Sequence, residues 1–463
     1  MAALFTIEFL FAFWMFFILY WLVAPLPKVQ NGLLLLGGYF FVYQISAYSL
    51  MILLSWSLCV WLLTNLAQKR RCANLATGLL VGLMLGYFLV FKYCMPFADW
   101  LRANLESLNA VWPIPVLDIL LPLGLSFYLF NSLSLVRSVA KQEIARPDLL
   151  SVLLYINFIP TLVAGPVNRA VDLIPQIQAT RRIVLDLKTA FCLIALALIK
   201  LFLLSTWLSD TLVDPVFSQP AAHNGWDTIL ATYGWAWNIY LNFSGYTNLV
   251  TGLAMLLGYR LPKNFDHPYL AASLQAFWHR WHISLSNFIR DSIYFPLGGS
   301  RKGLTRTQIN VVLAMVISGL WHGAGMNFML WGAIHGIGLV IYNLWRRWRL
   351  RPLPEVLARL LTFHYVCFAW IFFRAETFDD ARGLMRNIQH CSLATLHAPQ
   401  MWSILAFILL VVFYPLMVNL RIRGVNFINA TRWYAIPLMI IPVLTCAFFF
   451  APSGVPGFIY ANF

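Results

Sequence analysis

The chain has 463 residues, of which 61% are hydrophobic and only 11% charged, with a formal net charge of +15. A soluble chain carries about 25% charged residues, so this one has too little charge to cover a water-soluble fold, and an aromatic content of 16% excludes disorder. The composition is that of a multi-pass membrane protein. Its basic surplus is too small and too scattered for nucleic acid and suits cytoplasmic loops facing anionic lipid.

A membrane helix takes about 20 apolar residues plus its connection, so the length allows roughly 11–13 of them in an all-α fold. The first run, residues 4–23, has no Lys or Arg before it and no small-residue cleavage site after it. It reads as a first span rather than a signal peptide. Residues 32–66 are apolar for too long to cross once, so the chain must fold back near residues 44–49. Lys28 follows the first helix and Lys69-Arg70-Arg71 follows the third. With the N-terminus outside, both fall on the cytoplasmic side, as the positive-inside rule requires.

Further spans are expected at about 74–91, 118–136, 150–165, 186–206, 225–241 and 245–259, then as a helical pair over 308–345, and at 355–373, 402–419 and 433–450. The 150–165 segment contains Pro160 and ends in Ala164-Gly165-Pro166, the marks of a re-entrant piece, which membranes tolerate only inside protein. Arg346, Arg347, Arg349 and Arg351 mark another cytoplasmic loop. Counting on, 375–400 is outside, 421–432 inside and the C-terminal tail outside. No repeat, low-complexity tract or long linker divides the chain, so 1–463 reads as a single domain. The seven cysteines, Cys446 among them, form no CxxC pair, and no disulfide framework is expected.

Residues 271–296 are different in kind. Leu274, Phe277, Trp281, Leu285, Phe288 and Ile293 recur at helical spacing, with Gln275, His279, Arg280, His282 and Arg290 mainly on other faces. Such a composition suits a helix lying at the membrane interface, or one whose His and Arg point into a site.

Ionisable residues inside apolar spans are functional candidates by default. His223, His390 and His397 fall in expected loops, and His364 sits alone in an apolar helix as a satisfied core residue. His322 lies in Gly319-Leu320-Trp321-His322-Gly323-Ala324-Gly325 between two apolar runs. From Gln308 the helix would rise about 21 Å to reach it, so with 301–306 cytoplasmic it ends within the membrane, toward the outer half. His335, thirteen residues on, either lines the same cavity or hydrogen-bonds a neighbouring helix. A zinc site from His279, His282, His322 and His335 has a usable His-x-x-His spacing. It has no nearby Cys or carboxylate beyond Asp291, so no metal is expected. Neither a serine nucleophile elbow nor a phosphate-binding glycine motif is present.

Phe277-Trp278-His279-Arg280-Trp281-His282-Ile283-Ser284-Leu285-Ser286, Phe288-Ile289-Arg290-Asp291 and Pro296-Leu297-Gly298-Gly299 resemble one signature of the membrane-bound O-acyltransferase family. Gly319 to Ala324, Leu330 to Ala333 and His335-Gly336 resemble its second. Supporting blocks run across about 90–380, among them Leu121 to Tyr128, Ala164 to Val167, Asn242-Phe243-Ser244-Gly245-Tyr246 and Ile371 to Glu376. Within the family the blocks look most like the branch that acetylates alginate and cellulose, with teichoic acid D-alanyl transfer more distant.

The resemblance implies acyl transfer across a bacterial inner membrane. Acetyl-CoA is the implied donor, met from the cytoplasm, with no tightly bound cofactor. The acyl group is implied to leave on the outer side, to an extracytoplasmic acetyltransferase or a polysaccharide-modifying partner, or directly to a sugar hydroxyl. The family's essential histidine maps to His322, implying a general base, and its second to His282. Arg280 and Arg290 are candidates for CoA phosphates or anionic lipid. Asp291, Trp321, Asn242, Tyr246 and His335 complete the candidate binding residues. Asn242 and Asn248 stand where relatives usually show Asp, and Arg137-Ser138 also departs from the pattern. The competing classes are a transporter or lipid-linked glycan flippase, for which two related halves with paired broken helices are lacking, and a scaffold for secreted enzymes.

Overall fold

A computed structural model describes residues 7–107, 119–348 and 351–435, with isolated positions beyond to 449. Met1, Arg349, Cys446, half of the expected 433–450 span and the C-terminal tail lie outside the described residues. Among the described residues all regular structure is helical. Seven helical stretches there are long and apolar enough to cross a membrane: Ala47–Ala67, Arg70–Arg102, Leu187–Ser218, Leu304–His322, Met326–Arg347, Glu355–Arg374 and Ala398–Ile428. The chain is a multi-pass membrane protein, and its contacts divide it into two units.

One unit comprises described residues within 2–185 and 253–261. It opens with α1 (Ile7–Leu22), α2 (Pro27–Ile45) and α3 (Ala47–Ala67). The long apolar stretch folds back as expected. Ser46 is extended between α2 and α3, and its hydroxyl accepts from the Ser49 N–H at 3.1 Å, capping the new helix. α4 (Ala73–Phe88) continues through a π-helical turn into α5 (Cys94–Ser107), well past the expected end at 91. α6 (Leu125–Ala140) starts later than the expected 118. Gly124 sets that start with a left-handed φ of 72°, where a Cβ would also strike the Leu162 carbonyl.

The segment read as re-entrant forms α7 (Leu149–Ile156) and α8 (Ile159–Leu162), followed by α9 (Ala170–Ile177). Eight residues rise only about 12 Å, against a hydrocarbon core of about 30 Å. The broken backbone is held by protein instead of water. The Tyr155 hydroxyl donates to the Asn168 carbonyl at 2.8 Å, and the Asn168 amide donates to Thr161 Oγ1 at 2.6 Å. Buried Arg182 donates to the carbonyls of Gln176 and Ile177 at the end of α9 and to Gln30 Oε1. A cation at that position also complements the helix dipole.

The second unit comprises described residues within 186–252 and 262–463. α10 (Leu187–Leu198), α11 (Thr206–Leu208) and α12 (Asp214–Ser218) follow one another through π-helical turns. α13 (Gly225–Leu256) is one helix of 32 residues where two spans were expected. Asn242 and Ser244, expected at the break, are 2% and 3% exposed within it. A Cβ on Gly245 would lie 2.9 Å from Leu201, so this glycine serves helix packing rather than a turn.

The 271–296 segment is not a single interfacial helix. It forms α14 (Leu274–Trp278) and α15 (Ile283–Ile289), with a turn at 279–282. Phe277, Trp281 and Leu285 are each 1% exposed, so the apolar positions pack into protein rather than lie on lipid. α16 (Leu304–His322) and α17 (Met326–Arg347) form the expected helical pair. α18 (Glu355–Arg374) is followed by α19 (Phe378–Gln389), a helix inside the stretch read as an outer loop, started by a Thr377/Asp380 capping box. α20 (Ala398–Ala430) runs past the expected 419. His364 is satisfied, by the Tyr233 hydroxyl at 2.7 Å and the Leu360 carbonyl, but it is no core residue. It shares the exposed face of α18 with Leu361 and Phe368.

Candidate active site

α16 and α17 touch backbone to backbone because two glycines allow it. A Cβ on Gly319 would overlap the Phe328 carbonyl, and one on Gly332 would overlap the Met315 carbonyl. His322 ends α16 and is 3% exposed. The chain then turns through 323–325 into α17. Gly323 has an extended backbone that any residue adopts, and glycine is needed there because the Phe328 ring occupies the place of a Cβ. Three rings surround the His322 imidazole: Trp321 at 4.4 Å, Phe373 of α18 at 5.0 Å and Trp331 of α17 at 5.1 Å between centroids.

One turn after Trp331 comes His335, which is 0% exposed. Trp331 and Trp278 meet its ring edge-on at 5.0 Å and 5.1 Å, and Phe277 stacks parallel at 6.2 Å. Among the described residues neither of its ring nitrogens has a hydrogen-bond partner, so the expected bond to a neighbouring helix is absent. Trp370 of α18 joins this layer to the next, 5.9 Å from Trp331 and 5.1 Å from Trp281.

His282 lies at the far side of that aromatic cluster. It occupies the left-handed region, φ 41° and ψ 55°, directly before α15, a conformation that is costly for a residue with a Cβ and concentrates at functional sites. Its Nδ1 lies 3.0 Å from Asn264 Oδ1. That same oxygen accepts from the Ser284 N–H at 3.3 Å and the Ser284 hydroxyl at 2.8 Å. An atom that accepts from a backbone N–H is an acceptor, so Nδ1 of His282 carries the proton and Nε2 carries the lone pair. Phe243 of α13 meets the ring edge-on at 4.6 Å. Burial, with no counter-charge, pushes this imidazole down to about 3, so it is neutral at physiological pH.

The structure separates the other candidates. Trp321 is part-exposed, and its ring meets that of His322 at a tilt of 59°. Asn242 and Tyr246 are buried on α13, 2% exposed each, beside the Phe243 that meets His282. Arg280 donates to the Asp266 carbonyl at 3.0 Å, with the Asp266 carboxylate 4.0 Å away. The Lys263 ammonium at 2.7 Å, reinforced by Arg280, holds the Asp266 carboxyl below the usual range. Arg290 pairs with Asp291 at 2.8 Å on the surface. Both arginines offered for phosphate therefore already face an acidic neighbour. His279 is exposed.

Sequence reading missed Asn264, Trp370 and Phe373. Asn264 lies 18 residues before His282 in an ordinary-looking loop, and nothing local marks it. Trp370 and Phe373 sit three apart in an apolar helix that read only as a membrane span.

His322, buried where two glycine-apposed helices meet, and His282, buried on the far side, are linked by one continuous aromatic cluster through Trp331, Trp370, Trp281, Phe265 and Phe243. The membrane-bound O-acyltransferase family model matches residues 9–375. The chain belongs to that family, and its activity class is O-acyl transfer. It is 35% identical to the probable alginate O-acetylase of Azotobacter vinelandii, over 79% of this chain and 71% of that protein. It is 28% identical to a peptidoglycan O-acetyltransferase of Helicobacter pylori, over 81% and 72%. It is 27% identical to a teichoic acid D-alanyltransferase of Bacillus subtilis, over 58% and 75%. These relatives are named for alginate, peptidoglycan and teichoic acid, and none of the three for cellulose.

Proposed function

We propose that this protein passes an acetyl group from acetyl-CoA, met at the cytoplasmic face, across the inner membrane for O-acetylation of an exopolysaccharide of alginate type. The likeness to alginate O-acetylases over most of the chain supports that substrate class. The observation that carries the chemistry is His322, buried at the α16–α17 turn against Trp331 and Phe373. A neutral imidazole takes the proton of an attacking hydroxyl as its oxygen adds to the thioester carbonyl, and the imidazolium returns that proton to the sulfur, which leaves as the thiol when the tetrahedral intermediate collapses. General base catalysis of this kind contributes about 10²–10⁴-fold.

The lone pair of His282 Nε2 accepts a hydrogen bond and helps orient the acceptor hydroxyl or the donor. Asn242 and Tyr246 lie on the α13 face beside it. Arg280 and Arg290 meet the phosphates of the donor or of anionic lipid. The acceptor is a hydroxyl of an extracytoplasmic acetyltransferase, of another polysaccharide-modifying partner or of the sugar itself.

The test supplies acetyl-labelled CoA to inside-out vesicles containing the protein and its acceptor. Label appearing on a luminal protein or polysaccharide is the expected result. Polysaccharide movement without label transfer is the opposing one and returns the protein to the transporter class. In the same scheme the N-terminus is outside and 346–351 inside. An introduced cysteine beside Arg346 should resist an impermeant reagent applied to intact cells, and its labelling would reverse the orientation.

A further inference from the structure

His335 combines complete burial with two unpartnered ring nitrogens. Buried polar groups are nearly always paired, and one left unpaired costs about as much as a lost hydrogen bond. A chain that needed only bulk here would place Phe or Leu, which fill the same space among Phe277, Trp278, Trp331 and Trp370 at no such cost. The imidazole sits one helical turn from Trp331, whose ring also packs on His322. A ligand group reaching His335 would thus be one aromatic ring away from the proposed base.

The walls identify the ligand's chemistry. Four aromatic rings pack on the imidazole, those of Phe277, Trp278, Trp331 and Trp370. A phosphate or carboxylate would lose its hydration there without compensation. An uncharged group that both accepts and donates, on a narrow flexible chain, would not. Neutral imidazole presents one N–H and one lone pair, the complement of a carbonyl or secondary amide.

We propose that His335 is a binding residue for the acyl donor, hydrogen-bonding an uncharged carbonyl or amide of its thioester arm one aromatic ring away from His322. This rests on the thioester donor reading above and assigns it a contact that needs none of the donor's phosphates.

The test measures equilibrium binding of a non-reactive thioether analogue of acetyl-CoA, and of the matching acetyl-pantetheine analogue, to purified protein in detergent. His335→Phe keeps an aromatic ring and removes both nitrogens. It should weaken both analogues by roughly three- to tenfold while the melting temperature without ligand stays the same or rises. His335→Asn or His335→Gln, which restore a donor and an acceptor near Nδ1 or Nε2, should recover part of the loss. Unchanged affinity of a folded His335→Phe protein overturns the assignment, as would be found if the nitrogens faced only a buried water. Loss of affinity for the CoA analogue alone also overturns it, because it places the contact on the phosphates. Wild-type protein that binds neither analogue overturns the donor reading itself, and this proposal with it.

Discussion

His282 and Asn264 are joined by a 3.0 Å hydrogen bond from Nδ1 to Oδ1, and this bond selects the histidine's tautomer. Asn264 Oδ1 is fixed as the acceptor by the two donors of Ser284, so the proton stays on Nδ1 and the lone pair on Nε2 faces away from the loop. The backbone reinforces the arrangement, with the Ile283 N–H donating to the Asn264 carbonyl at 2.9 Å. Asn264→Ala should therefore lower acyl transfer by more than tenfold and destabilise the protein by about 1–3 kcal/mol, because the buried Nδ1–H and Ser284 hydroxyl lose their acceptor. Asn264→Asp keeps the acceptor and should retain more activity than Ala. Transfer assays beside detergent melting curves check both.

Stability should fall on acidification through a window set by His282. Its pKa is pushed down to about 3 by burial in the fold and lies near 6.5 in the unfolded chain. Between those values the unfolded state binds the proton and the folded state does not, so stability rises with pH across the window and is fully present above about 6.5. The contribution is at most about 1.4 kcal/mol per pH unit. The difference in melting temperature between wild type and His282→Gln, followed from pH 7.5 to 5, should shrink as pH falls. A constant difference would contradict the buried neutral assignment.

The glycine contacts of α16 and α17 predict a loss of both stability and activity on small substitutions. Gly319→Ala and Gly332→Ala each drive a Cβ into a facing carbonyl of Phe328 or Met315. Overpacking of this kind costs about 1–3 kcal/mol, and separating the helices draws Trp331 from His322. Gly78→Ala is the control, since nothing lies within 4 Å of a Cβ there and alanine favours the helix by roughly 0.5–1 kcal/mol.

Arg280 and Arg290 should separate on substitution. Arg290 pairs with Asp291 in an exposed position, where an ion pair contributes about 0–1 kcal/mol. Arg290→Gln should thus leave the fold intact and raise KM for acetyl-CoA but not for acetyl-pantetheine. Unchanged donor dependence with weaker membrane association supports lipid as its partner. Arg280 ties the turn before His282 to residue 266: its guanidinium donates to the Asp266 carbonyl, and the Asp266 N–H donates to the Arg280 carbonyl at 2.9 Å. Arg280→Gln should lower kcat as well, through the loop that carries Asn264.

Patterns tied to one helix were legible in the sequence. Charge-flanked apolar runs marked α2, α3, α16, α17 and α18, and the His322 turn stood out because an ionisable side chain is rare inside an apolar run. Features that depend on partners distant in sequence were not. Asn242, Ser244 and Gly245 read locally as a break, yet the polar residues are buried and the glycine admits Leu201, so α13 continues. The periodicity of 271–296 suggested one amphipathic helix, but the turn at 279–282 is held by hydrogen bonds from residues 264–266 that no spacing within the segment reveals. His364 looked internal because its helix is apolar all round, and which face turns outward is decided by neighbours such as Tyr233.

The most direct measurement is acyl transfer by His322→Gln compared with wild type, each with its melting curve. Glutamine keeps a hydrogen-bonding group of similar reach but takes no proton at neutral pH. Transfer should fall to background in both His322→Gln and His322→Ala, with folding preserved and donor binding retained. Wild-type rates in a well-folded His322→Gln protein would contradict this and pass the role of base to His282.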